Sequence, residues 1–216
     1  MREDLDLQLN MLRDRVATMG THADEMLDGA VRALVDNDLE AAAHVVNSDP
    51  RVDSAYEQVQ HGVLALVALH GPMGHDLRVA TALIHVSLHL ERMADYAVNT
   101  ARAVERATEL PRDNDLVDRL ADMGGHARTV GQMALESFLT EDEELAKAAA
   151  TRDDEVDELE LIIFQHLMGL AGDNSSQIEW ATRMMRVARH IERYGDHGVD
   201  IAEQAFFVIT GGTVDL

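Results

Sequence analysis

The eleven residues His190-Ile191-Glu192-Arg193-Tyr194-Gly195-Asp196-His197-Gly198-Val199-Asp200 set three carboxylates four positions apart. On a helix each four-residue step drifts only about 40°, so Glu192, Asp196 and Asp200 fall on one face within roughly two turns. Like charges at this spacing cost an isolated helix about 0.2–0.5 kcal/mol per pair, a cost that a cation or a cationic partner removes. The stretch has a twin 101 positions earlier. Glu91, Asp95 and Asn99 stand in His89-Leu90-Glu91-Arg92-Met93-Ala94-Asp95-Tyr96-Ala97-Val98-Asn99, where His89 matches His190 and Arg92 matches Arg193. Two such stripes at matching places indicate a duplicated structural unit.

The composition narrows what those stripes can do. Forty Asp and Glu against 18 Lys and Arg give a formal charge of -22, which repels nucleic acid and anionic lipid alike. There is no cysteine, so disulfides, thiolate metal ligation and thiol nucleophiles are excluded. The longest interior apolar run, Val63 to Leu69, is far short of the roughly 18 residues of a membrane span, and the acidic start Met1-Arg2-Glu3-Asp4 leads into no apolar segment of a signal peptide. No phosphate-binding Gly-rich loop and no Gly-x-Ser-x-Gly elbow occur.

Few aromatics, three prolines and abundant Ala and Leu predict an all-α chain. The first helix is expected from Leu5 to Asp36, with Leu9, Leu12, Val16, Met19, Ala23, Met26, Ala30 and Leu34 along one face. A break at Asp36-Asn37-Asp38 precedes a second helix from Leu39 to Leu69, which Pro50 is expected to kink or restart with Ser48 or Asp49 as N-cap. His70-Gly71-Pro72 turns into a third helix over 76–108. The pattern then repeats: helices over 114–139, 144–170 and from the turn Gly172-Asp173-Asn174-Ser175-Ser176 to Thr210, where Gly211-Gly212 stops the chain. Met19-Gly20-Thr21-His22-Ala23 is echoed by Met123-Gly124-Gly125-His126-Ala127, and Asp49-Pro50-Arg51-Val52-Asp53 by Asp153-Asp154-Glu155-Val156-Asp157, both 104 positions on. The simplest architecture is six helices in two repeated three-helix bundles, 1–110 and 111–216.

Folding each unit about its second turn brings acidic pairs together. Asp53 lies 18 residues before Gly71 and Glu91 lies 19 after Pro72, while Asp157 lies 16 before Asp173 and Glu192 lies 19 after it. Asp49 and Asp53 should therefore face Glu91 and Asp95, and Asp153 and Asp157 should face Glu192 and Asp196. Four carboxylates in one patch raise each other's pKa unless a metal supplies the opposite charge. All-oxygen ligation favours Mg²⁺, Mn²⁺, Ca²⁺ or iron, with room for more than one ion. No Glu is followed three positions later by His, unlike the ferritin-like di-iron bundles. His22 and His126 fall near the same height, as auxiliary ligands or as packed residues. The other reading of the acidic patches is a salt-bridged surface involving Arg92, Arg193 or Arg78.

These residues resemble the PhoU family of phosphate-uptake regulators. The paired Glu/Asp-x-x-x-Asp motif of that family is carried by Asp49 with Asp53, Glu91 with Asp95, Asp153 with Asp157 and Glu192 with Asp196. Pro72-Met73-Gly74-His75-Asp76-Leu77-Arg78 is similar to the family's Pro-x-x-x-Asp-Leu-Arg turn. Departures are Asp200 where the family usually has Asn, Ala94 where Gly is common, and Pro50 inside the first acidic pair. The resemblance implies two three-helix bundles, multinuclear iron or zinc clusters on the bundle surface, and homodimers. It also implies a non-catalytic, cytoplasmic negative regulator that links the phosphate ABC transporter to a sensor histidine kinase. On that reading the chain is recruited to the inner face of the membrane by docking on protein partners, without inserting into the bilayer. The rival from another class is a metal-dependent hydrolase or oxidase whose nucleophile the metals generate.

Overall fold

A computed structural model describes residues 2–170 and 175–212 of the chain. Six helices account for nearly all of the described residues, and no strand occurs among them: α1 (Arg2–Asp36), α2 (Leu39–His70), α3 (His75–Ala107), α4 (Asn114–Thr140), α5 (Glu143–Leu170) and α6 (Ser175–Thr210). Each expected helix is present with ends shifted by a few residues. Ser175 and Ser176, read as part of a turn, open α6, while Gly172, Asp173 and Asn174 lie outside the described residues.

The duplication extends to the turns. Asn37 (φ 54°) and Glu141 (φ 57°) both adopt the left-handed conformation. The amide two residues beyond each helix reaches back five residues, Asp38 to the carbonyl of Ala33 and Asp142 to that of Ser137, both at 3.0 Å. This is the six-to-one closure that satisfies terminal helix carbonyls. Asp38 and Asp142 then cap the following helices, Asp38 accepting from the amides of Glu40 and Ala41 and Asp142 from that of Leu145. Glu141 lacks the freedom of glycine in that conformation; ion pairs with Arg13 and His75 hold it there.

Of the two alternatives at Pro50, the restart does not occur. Helix α2 runs through Pro50 unbroken, and its N-cap is Asp38 rather than Ser48 or Asp49; the Ser48 hydroxyl instead donates to the carbonyl of His44. A proline in a helix interior costs about 3 kcal/mol. Here Val45, Val52, Val59, Val63 and Leu66 bury on both sides of it, and losing that packing would cost more.

Helices α1, α3, α4 and α6 form the centre, with α1 against α4 and α3 against α6 joining the two units through one continuous core. Helix α2 packs only on α1 and α3, and α5 only on α4 and α6. Helices α4 and α6 approach so closely that a Cβ at Gly198 would stand 3.2 Å from the amide nitrogen of Gly131. Polar bridges fix the arrangement. Arg128 of α4 binds Asp24 and Asp28 of α1, the link segment's Arg112 donates to the terminal α1 carbonyls of Leu34 (2.7 Å) and Val35 (2.5 Å), and Arg78 donates to the Val208 carbonyl near the end of α6.

Candidate metal centres

Each outer helix meets its neighbour along a seam that carries one acidic cluster. In the first unit Asp49 and Asp53 of α2 face Glu91 and Asp95 of α3. Glu91 is pushed up by burial and then by Asp95, Asp53 and Asp49, and Asp49 by burial and then by Asp53 and Asp95. In the second unit Asp153 and Asp157 of α5 face Glu192 and Asp196 of α6. Burial, followed by repulsion from Asp157, Asp196 and Glu192, pushes Asp153 up to about 7. Glu192, only 8% exposed, is also pushed to about 7, by burial first and Asp196 next. Asp157 is raised by burial and by Asp196.

Arginines answer part of this charge, as the salt-bridged reading requires. Arg92 pairs with Asp95 (3.0 Å), Arg193 with Asp196 (3.0 Å) and Arg189 with Glu192 (2.5 Å), whereas Arg78 is engaged at the end of α6. The answer is incomplete. Glu91 Oε2, Asp153 Oδ1 and Glu192 Oε2 are buried without a hydrogen bond; Glu91 Oε2 has only the longer ion contact of Arg92 Nε at 3.4 Å and Glu192 Oε2 that of Arg193 Nε at 3.6 Å, while Asp153 Oδ1 has no ion pair among the described residues. A buried carboxylate oxygen without a hydrogen bond is costly, and a cation is the group that both satisfies it and cancels the repulsion. The donors present thus fit hard or borderline cations. Among the described residues no three ligand atoms of either acidic cluster lie within 4.8 Å of one another; the one set that does lies elsewhere.

Gly195 makes the second cluster possible in its present form. A Cβ there would lie 2.4 Å from Asp153 Oδ1, so the carboxylate rests directly on the bare α6 backbone. The equivalent position in the first unit is the buried Ala94, which carries a methyl group where Gly195 has none.

Asp200 leaves the stripe that its spacing suggests. Two steps of about 40° add to about 80°, and this turns Asp200 from the α5 seam to the α3 seam, where its Oδ2 lies 3.0 Å from His197 Nδ1 and 3.2 Å from His89 Nδ1. The two imidazole nitrogens are 3.1 Å apart. Sequence reasoning missed this group, although His89 and His197 both lie in the twinned stretches. His22 and His126 pair with Glu25 (3.5 Å) and Glu155 (2.8 Å) and touch none of the eight clustered carboxylates.

The sequence profile of the PhoU domain matches this chain twice, over residues 16–104 and 120–205. The chain belongs to the PhoU family. Both matched segments carry a complete acidic quartet, so the repeat of the PhoU domain is also the repeat of the clusters. Among curated relatives, the phosphate-specific transport system accessory protein PhoU homolog of Rhizobium meliloti is 30% identical over 95% of this chain and 87% of its own. The homolog of the same name from Clostridium acetobutylicum is 26% identical over the whole of this chain and 98% of its own. The crystal structure of the phosphate transport system regulatory protein PhoU from Streptococcus pneumoniae superposes with a TM-score of 0.89 at 26% identity, covering 98% of this chain and all of that one.

Proposed function

We propose that this chain is a metal-binding negative regulator of phosphate uptake and phosphate-starvation signalling, and that it couples the phosphate ABC transporter to a sensor histidine kinase. The observation that carries this reading is the end-to-end match to phosphate transport accessory and regulatory proteins, each half bringing a full acidic quartet. In this role Asp49, Asp53, Glu91 and Asp95 hold one group of ions, iron or zinc with Mg²⁺ or Mn²⁺ as the alternatives, and Asp153, Asp157, Glu192 and Asp196 hold the other. The buried carboxylate oxygens without hydrogen bonds support it. Names that describe accessory and regulatory proteins support a role without catalysis.

A chain at -22 gains nothing from anionic headgroups. It works at the cytoplasmic face of the membrane as a homodimer by docking on basic surfaces of the transporter and the kinase. Deleting the gene tests the reading: phosphate-responsive genes should stay active in phosphate-rich medium. Normal repression in a strain with no second copy overturns it.

A further inference from the structure

We propose that His89, His197 and Asp200 form a separate binding site for a single divalent transition ion of the zinc type, placed between the two repeats. His89 belongs to α3 of the first unit, and His197 and Asp200 belong to α6 of the second. His89 precedes Glu91 by two positions, which on a helix turns it about 200° away, and the site is therefore distinct from the acidic clusters.

The three donor atoms are His89 Nδ1, His197 Nδ1 and Asp200 Oδ2, and they form a nearly equilateral triangle with edges of 3.1, 3.2 and 3.0 Å. With metal bonds of about 2.0–2.1 Å, an ion equidistant from these three atoms sits roughly 1 Å above their plane, with ligand–metal–ligand angles near about 100°. That value lies between octahedral and tetrahedral angles, and the face away from the triangle stays open. Asp200 is 43% exposed, so water reaches its carboxylate, while the imidazoles are 18% and 20% exposed.

Without an ion the triangle is held by hydrogens: each imidazole is placed to donate from Nδ1 to Asp200 Oδ2, and one to donate to the other. One cation directed at the three lone pairs would replace all three contacts at once. Two imidazoles and one carboxylate select a transition ion over Mg²⁺ and Ca²⁺, which take oxygen ligands. Tyr96 stacks on His197 with ring centroids 5.7 Å apart and narrows the orientations open to that imidazole.

The duplication supplies its own control. Shifting by 101 maps His89 to His190, Tyr96 to His197 and Asn99 to Asp200, so the partner half of the α3–α6 seam holds His190, Tyr96 and Asn99. There a phenol and an amide replace an imidazole and a carboxylate, and Tyr96 contacts His190 ring to ring at 5.9 Å. Only one half of the pair has the ligands of a transition ion.

Full-length protein stripped with chelator and titrated with Co²⁺ tests the proposal, since a four-coordinate site of the zinc type, three protein ligands and one water, gives an intense visible band and a six-coordinate all-oxygen cluster gives a much weaker one. The wild type and the His190→Ala control should develop the band, and so should the double variant Glu192→Gln, Asp153→Asn. The His89→Ala variant should lose it, and Zn²⁺ affinity at the site should fall by at least the roughly 10- to 100-fold that loss of a supporting partner costs. Asp200→Asn keeps the shape of the side chain, guards against misfolding and should also lose the band. A band and ion count unchanged in either His89→Ala or Asp200→Asn overturn the site. A band abolished by the Glu192→Gln, Asp153→Asn pair and retained in His89→Ala would assign the ion to the acidic cluster instead.

Discussion

Replacing Glu192 with Gln should stabilise the metal-free protein and destabilise the metal-loaded one. Burial and Asp196 raise the Glu192 carboxyl from 4.5 to about 7, on the order of 3 kcal/mol of penalty on the charged folded state. Asp153 shares the repulsion and titrates with it. One neutralisation therefore recovers about half, ~1–2 kcal/mol, or about 3–6 °C in Tm for a chain of this size. The folded pKa lies above the unfolded one, so the folded state retains a proton that the unfolded state releases. The favourable contribution is complete below about pH 4.5 and is lost as pH rises through about 7. The gain from Glu192→Gln should accordingly be near zero at pH 4.5 and full at pH 8. Saturating metal at about 100 times its Kd adds ~2.7 kcal/mol to the wild type, and the variant, short of one ligand, gains less, so the order of the two melting curves reverses. Circular dichroism melts at pH 4.5 and pH 8, with chelator and with Zn²⁺ or Fe²⁺, give the four comparisons. If Glu192→Gln melts below the wild type in chelator at pH 8, Arg189 and Arg193 already satisfy the carboxylate and the cluster is an ion-paired surface.

The Gly195→Ala substitution places a methyl 2.4 Å from Asp153 Oδ1; metal content of the second cluster should fall while the chelated protein keeps or gains stability, since Ala favours a helix over Gly by about 1 kcal/mol. Metal retained in full after dialysis would show that Asp153 is not a ligand. Arg112→Ala removes donors from the α1 carbonyls of Leu34 and Val35 and should cost ~2 kcal/mol in urea unfolding; an unchanged midpoint would mean that water caps α1 equally well. Capture of the sensor kinase should weaken as salt rises, because exposed charges are screened beyond about 8 Å at physiological ionic strength. Salt-insensitive capture would remove the electrostatic account of docking and leave the regulatory role to the deletion test.

The fold was largely legible because its determinants are local. Apolar residues at three- and four-residue steps, the Gly, Pro and Asp/Asn breaks and the repeated offsets of 101 and 104 fix six helices and their pairing. The acidic quartets were legible too, since an antiparallel pair converts distance from a turn directly into height. Pro50 misled, because its cost is local whereas the packing that outweighs it comes from two other helices. Asp200 misled for a related reason: periodicity along one helix cannot say which neighbour each edge of a broad stripe will meet. The His89, His197 and Asp200 group depends on α3 meeting α6 across the repeat, a contact that no turn length encodes. The twin positions of His89 and His190 were the available signal, and reading them required the relative placement of the two units.

Helices α2 and α5 bury six and five residues against the fourteen of α6, and each packs on two neighbours only. Local opening free energy follows burial, so these two should exchange their backbone hydrogens long before the inner four. Each also carries one side of an acidic quartet whose other side is anchored on α3 or α6. On the proposed metal-binding reading, ions that bridge the seams would act as latches on the outermost helices and slow their release without altering the inner bundle. The ion load would thereby be written into how often α2 and α5 swing free, a quantity that a partner competing for their inner faces could read.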